Sequence, residues 1–420
     1  MKSVPVGGAR YVTPMTEQPR SDDPSSMTSS NARRTALTRL GRSGTGFVNP
    51  SVVRGSTVTF ETLGEFEEAL RCDLQQGPYT YGLLDTPTTR ALSESIAALD
   101  GANGAVLLES GLAAVGVALL SHVTQGDHIL MVDSCYGPSR ILCNGMLKRF
   151  GVETEYYDPR IGQDGRPGIE TLFRKNTKLV FMESPGSVTF EMQDVPAIAA
   201  ACQERNIVTA IDNTWATPLG FRPIEHGVDM VVHALTKYVS GHSDVMLGAV
   251  TARTRDIWDR VKITAVDLGH GVSPDDAWLG LRGLRTLAVR LDAQERSALQ
   301  LARWLQNRPE VKRVLHPALP EDPGHEIFKR DFDRGTGLFG VVLHPVKRQA
   351  LARMLEGMTY FQMGYSWGGF ESLLIPQHPL TERSATPWNE DGTLLRVSVG
   401  LEAVDHLVQD LASGLDRLAG

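Results

Sequence analysis

The chain has 420 residues, 41% hydrophobic and 22% charged, with a formal net charge of −7, an ordinary composition for a globular protein with a sizeable core. It shows no basic stripe for nucleic acid or an anionic membrane, and no apolar run approaches the ~20 residues that span a bilayer. Its four cysteines, Cys72, Cys135, Cys143 and Cys202, have no CxxC spacing, which suits a reducing compartment and predicts a cytoplasmic protein.

In chain order, residues 1–35 are rich in Ser, Thr, Pro, Asp and Arg and lack an apolar core segment. They are expected to be a disordered tail, not a signal peptide. Residues 36–87 form an arm. In it, TLGEFEEALRCDL (62–74) predicts a short helix with Thr62 and Glu65 spaced as a capping box, and YTYGLLDTPTTR (79–90) predicts a polar loop.

From residue 88 to 280, helical stretches alternate with the short apolar runs GAVLLE, DHILMVD, KLVFME, IVTAID, DMVVHAL and LGAVTA. Such runs predict strands buried on both faces of a mainly parallel sheet, hence an α/β domain. Around residue 275 one long helical pattern begins, too long for a routine crossover, and leads into a smaller C-terminal domain (281–420). There KRVLHPA, GLFGVVLH and LLRVSVG predict strands, and KRQALARMLEGM and AVDHLVQDLASGLDRL predict helices.

Ligands of open α/β sheets bind beyond the carboxyl ends of the strands, so the residues that follow each run carry the functional content. Ser110, Gly111, Leu112 and Ala113 follow AVLLE. Tyr136 comes shortly after ILMVD, Asp212 closes VTAI, and Thr236 and Lys237 follow DMVVHAL. Each has a plain structural role available: Ser110-Gly111 as a strand-to-helix turn, Tyr136 as a packing residue, Asp212 as a cap. Lys237 either points to solvent or is covalently occupied, because a buried amine is costly unless neutralised or bonded. His233 is assigned no role beyond the core. As a set, N–H donors, an aromatic face, a carboxylate and an amine match the needs of pyridoxal phosphate.

Six motifs, ESPGS, AIDNTWATP, TKYVSGHSD, RGLRTLAVRL, YSWGGFESL and LLRVSVGLE, carry a resemblance that runs from about residue 40 to the C-terminus. The chain resembles the transsulfuration (Cys/Met metabolism) family of pyridoxal-phosphate-dependent enzymes, most of all its β-lyases. The resemblance implies the fold-type I transferase fold, with a mainly parallel seven-stranded sheet. It also implies a homotetramer built as a dimer of dimers, in which the arm completes a neighbour's site. It makes Lys237 the Schiff-base lysine and Asp212 the partner of the pyridine nitrogen. Tyr136 would stack on the ring, and Gly111, Leu112 and Thr236 would bind the phosphate, joined by Tyr81 of a neighbouring subunit. Arg396 would clamp the substrate α-carboxylate, with Ser366 and Trp367 lining that subsite.

The implied reaction is carbon–sulfur β-elimination, cleaving cystathionine to homocysteine, pyruvate and ammonia. The alternatives are γ-chemistry, a β-lyase of other cysteine S-conjugates in a specialised pathway, and a retired enzyme kept as a binding module. YSWGG favours β over γ, since the γ-acting relatives usually lack that tryptophan. One departure stands out. The family's Tyr-x-Arg is here Tyr81-Gly82-Leu83, followed by Leu84 and Asp85, so a charge-assisted phosphate contact is lost unless Arg54 or Arg90 compensates.

Overall fold

The computed structural model of the protein describes residues 27, 29–42, 46–75, 77–378 and 383–419. Seven strands, β1 (Gly104–Leu108), β2 (His128–Val132), β3 (Glu153–Tyr157), β4 (Thr177–Glu183), β5 (Val208–Asp212), β6 (Met230–His233) and β7 (Gly248–Ala252), form one sheet in the order β1-β7-β6-β5-β4-β2-β3. Only β7 runs antiparallel to its neighbours. Residues 129–132 and 179–182 are fully buried, as expected for strands covered by helices on both faces.

Six of these strands coincide with the apolar runs of the sequence. β3 was not among them, because as an edge strand it reads ETEYY and keeps its glutamates toward solvent. A second, antiparallel sheet has the order β10-β11-β9-β8, from β8 (Val311–Leu315), β9 (Leu338–Leu343), β10 (Leu373–Gln377) and β11 (Thr393–Ser398). β10 also escaped the pattern: it lies at an edge and contains Pro376, which a central strand would not tolerate.

The helices follow from their caps. Pro87–Asp100 opens with a reciprocal capping box between Thr86 and Thr89 and ends on Gly101 at φ 68°; the expected loop 79–90 therefore stops at Thr86. In the arm, Thr62 caps Leu63–Ala69 by accepting from Glu65 N, whereas the Glu65 carboxylate accepts from Glu61 N, one residue earlier than a strict box. The expected tail lies mostly outside the described residues. Its end, however, forms the helix Ser30–Ala36, capped by Ser29 and docked through the Arg33–Asp333 and Arg34–Asp292 ion pairs. Those carboxylates are some 260–300 residues away in sequence, out of reach of a compositional argument.

The 33-residue helix Pro274–Gln306 joins the two sheets. Its residues Ala277 to Leu291 pack with the helix Pro87–Asp100 and Leu235, while Ala298 to Leu305 belong to the core over β9 and β11. No helix among the described residues is long and apolar enough to cross a membrane.

Candidate active site

The carboxyl ends of β4, β5 and β6 converge with the loop 365–369 and with β11. Lys237, four residues beyond β6, is mostly buried. Its Nζ donates to Ser366 Oγ at 2.8 Å and lies 5.3 Å from the centre of the Trp367 ring. Burial, reinforced by the nearby Arg396 guanidinium and opposed by Asp212, brings the amine down to about 8. Arg396 projects from β11 and donates to the Ser366 carbonyl at 2.7 Å, and burial lowers it to about 10.

That bond bears on strain. Ser366 sits at φ 74°, a region serine seldom occupies, and it is held there from both sides, by Arg396 on the carbonyl and by Lys237 on the hydroxyl. Trp367 packs on the Tyr238 ring at 5.3 Å between centroids.

Asp212 closes β5. Its Oδ1 accepts from Thr214 N at 2.9 Å, and burial raises its carboxyl despite that bond and the nearby His233 and Lys237. Tyr136 stands at the N-terminal boundary of the helix Gly137–Leu142, makes no side-chain capping bond, and leaves 43% of its surface open. Burial and the charges of Asp212 and Glu183 push its phenol up, against Arg396. The partly exposed Tyr136, Asp212, Lys237 and Arg396 thus lie within electrostatic reach of one another.

Close to the segment leading to Lys237, Ser110 caps the helix Gly111–Leu120 by accepting from Ala113 N at 3.1 Å. The Gly111 and Leu112 N–H groups precede the helical ladder and have no acceptor among the described residues. A Cβ at Gly111 would come within 2.5 Å of Ala234 Cβ, so only glycine lets this helix end press against the segment leading to Lys237. The Thr236 hydroxyl is already engaged, accepting from Leu247 N at 2.8 Å and donating to Leu247 O at 3.1 Å. To serve a phosphate it must share one of those bonds.

Tyr81 is not brought into this cluster within the protomer. It stands 49% exposed in the arm, its backbone bridged to Thr57. The adjoining residues Gly82, Leu83 and Leu84 line a separate cavity of about 580 Å³. Neither arginine named as a replacement cation is spare: Arg54 pairs with Asp275, and Arg90 pairs with Asp85 at 2.6 Å and stacks on Tyr79. The Asp85 charge is thereby balanced locally. His233 is buried against Asp100, Nε2 to Oδ2 2.7 Å.

One residue escaped the sequence argument. Glu183, 8% exposed, ends β4 directly opposite Asp212 in the parallel register. Its Oε2 accepts from Tyr136 N at 2.7 Å and its Oε1 accepts from Ser187 Oγ at 2.5 Å. Burial and the Asp212 charge hold its carboxyl well above the usual carboxylate range. The sequence signal is the same one that marks Asp212: a carboxylate terminates KLVFME just as Asp212 terminates IVTAID.

The donor set fits pyridoxal phosphate: free N–H groups at a helix end for a phosphate, an open aromatic face, a buried carboxylate for a protonated ring nitrogen, and a low-pKa amine for an aldehyde. The known proteins agree. Cystathionine β-lyase of Salmonella typhimurium is 42% identical over 393 residues, covering 91% of this chain and 98% of its own. Cystathionine β-lyase MetC of Escherichia coli is 40% identical with the same coverage. The crystal structure of cystathionine γ-synthase from Xanthomonas oryzae pv. oryzae superposes with a TM-score of 0.82 at 30% identity, covering 92% of this chain and 98% of that one. The family description Cys/Met metabolism PLP-dependent enzyme matches residues 34–416, and the chain belongs to that family.

Proposed function

We propose that the protein is a carbon–sulfur β-lyase that converts cystathionine and water to homocysteine, pyruvate and ammonia. The observation that carries this reading is the Lys237 amine, buried, lowered to about 8 and cradled by Ser366 and Trp367 in a chain of this family. Bound there, pyridoxal phosphate supplies an electron sink for the pair left on Cα when its proton departs.

The chain's own residues do the rest. Lys237 and Asp212 would hold the cofactor at its aldehyde and ring nitrogen, Tyr136 would cover its ring, and the Gly111 and Leu112 N–H groups with Thr236 would receive its phosphate. Arg396 takes the substrate α-carboxylate in the bidentate manner of guanidinium. It is already oriented by its bond to Ser366 O, and Ser366 and Trp367 form the adjoining wall. Lys237, once a free amine, removes the Cα proton and returns a proton to the departing sulfur. A lysine lowered to about 8 is suited to both steps near neutral pH.

Two observations favour β- over γ-chemistry: Trp367 beside Lys237, and the higher identity to the β-lyases than to the γ-synthase. Further, the protein assembles as a dimer of dimers in the cytoplasm, with Tyr81 reaching a neighbour's phosphate. The exposure of Tyr81 and of Leu63, Phe66 and Leu70 along the arm supports this. Cystathionine turnover tests the reaction: pyruvate with homocysteine is expected, and 2-oxobutyrate with cysteine overturns it. Sedimentation of the purified protein tests the assembly, where a monomer overturns it.

A further inference from the structure

Glu183 and Asp212 are neighbours at the ends of two adjacent parallel strands, and neither forms an ion pair among the described residues. Two carboxylates so placed, away from water, do not both ionise readily; one keeps a proton. Their surroundings decide which. Asp212 faces the amine of Lys237 and the imidazole of His233, both of which favour its charge. Glu183 pairs with no cation among the described residues. Its neighbours are Asp212, Tyr136, Ser187 and the buried thiol of Cys135. Burial and the adjacent carboxylate both push it toward the neutral acid.

The geometry of Glu183 also gives it something to hold. Oε2 is the acceptor for Tyr136 N, the backbone of the residue whose ring closes the pocket, and Oε1 is 2.5 Å from Ser187 Oγ. Ser187 begins a tight loop in which Val188 and Phe190 both lie at positive φ (69° and 59°), a conformation that β-branched and bulky residues avoid. With a proton on Oε1 the serine contact reverses, the acid donating and Ser187 accepting, while Oε2 continues to accept from Tyr136.

We infer that Glu183 is a neutral positioning residue: a strand-end carboxylic acid that fixes the Tyr136 backbone and the Ser187 turn while leaving Asp212 as the single anion of the pair. The inference rests on the proposed function, in which Tyr136 and Asp212 would hold the cofactor's ring and its nitrogen.

Glutamine reproduces the neutral acid, with a carbonyl for Tyr136 N and an amide donor for Ser187; alanine supplies neither. Glu183→Ala is expected to weaken cofactor binding and kcat/KM by about tenfold to a hundredfold, the usual effect of a buried donor left without an acceptor. Glu183→Gln is expected to rescue most of that loss, to within about threefold of wild type, and to keep the pH midpoint of the bound cofactor's visible absorption within a few tenths of a unit. In the cofactor-free protein near neutral pH, the infrared difference between wild type and Glu183→Gln should contain a carboxylic-acid C=O band.

A Glu183→Gln variant as impaired as alanine, a spectral midpoint moved by a unit or more, or an infrared difference showing only carboxylate overturns the proposal. So does a folded Glu183→Ala variant with wild-type affinity. A wild-type protein that takes up no pyridoxal phosphate removes the site assignment beneath it, which is a different and separately visible failure.

Discussion

Buried carboxylates stand at three strand ends of the large sheet, and their environments differ. Asp133, just past β2, accepts from three consecutive backbone N–H groups, Ser384 at 3.0 Å, Ala385 at 2.8 Å and Thr386 at 2.7 Å, and also from Arg140. Burial alone would raise its carboxyl, but these donors outweigh it and hold Asp133 below the usual range. Glu183 and Asp212, at the ends of β4 and β5, have fewer donors and no paired cation among the described residues, and both are raised. The same topological position thus gives a latch in one case and a reactive centre in the other. Asp133 combines more donors and a paired arginine with a lighter desolvation, whereas Glu183 and Asp212 are more deeply desolvated and Glu183 also faces the Asp212 charge.

The contrast can be broken most decisively at Lys237. Lys237→Ala should lower pyruvate release at least about 10³-fold, the loss expected when a general base is removed; a variant within tenfold of wild type would end the claim that the sparsely bonded end is the reactive one. Next, Arg396→Lys should reduce kcat/KM about ten- to a hundredfold, mostly through KM, since an ammonium cannot replace a bidentate contact. Steady-state kinetics with cystathionine read this, and an unchanged KM would argue against the carboxylate role.

The latch should respond in stability more than in chemistry. Asp133→Asn should cost about 2–4 kcal/mol in denaturant unfolding, as charge-assisted bonds to three amides weaken, and should expose the segment 383–388 to proteases while the cofactor stays bound. Intact proteolytic resistance would refute it.

pH sharpens the same contrast. Asp133 is depressed in the folded protein, so its contribution is present above the ordinary carboxylate pKa and fades as pH falls through its lower folded value. Glu183 is raised, so the cofactor-free protein holds a proton the unfolded chain releases, and stability declines as pH climbs from the ordinary carboxylate range toward the folded value. Glu183→Gln should flatten that decline in urea titrations, and Asp133→Asn should flatten the acid-side loss instead. The smallest effect is kinetic: cofactor uptake by the apoprotein should rise with pH about a midpoint near 8, where the Lys237 amine loses its proton.

Much of the fold was legible because buried strands announce themselves as apolar runs. The edge strands β3 and β10 did not, since one carries Glu153 and Glu155 and the other Pro376. At the site, Lys237 and Asp212 could be picked out because charge at the end of an apolar run is conspicuous, whereas Arg396, inside β11, came from the family resemblance. Glu183 carries the same signal at the end of KLVFME, but its role is not legible from it, because its partner is the backbone of Tyr136, 47 residues away, and no sequence pattern encodes that contact. The engagement of Thr236 by Leu247 and of Arg90 by Asp85 likewise required coordinates.

The long helix Pro274–Gln306 has a mechanical consequence. At 1.5 Å per residue it is a spar roughly 50 Å long, and its two halves are embedded in two different cores. Neither end can melt without stripping its neighbour of a wall, so the catalytic sheet and the smaller sheet should lose their structure in one calorimetric event. A tilt of one sheet relative to the other would have to swing the whole rod, which would also carry the β11 arginine with respect to the amine it faces.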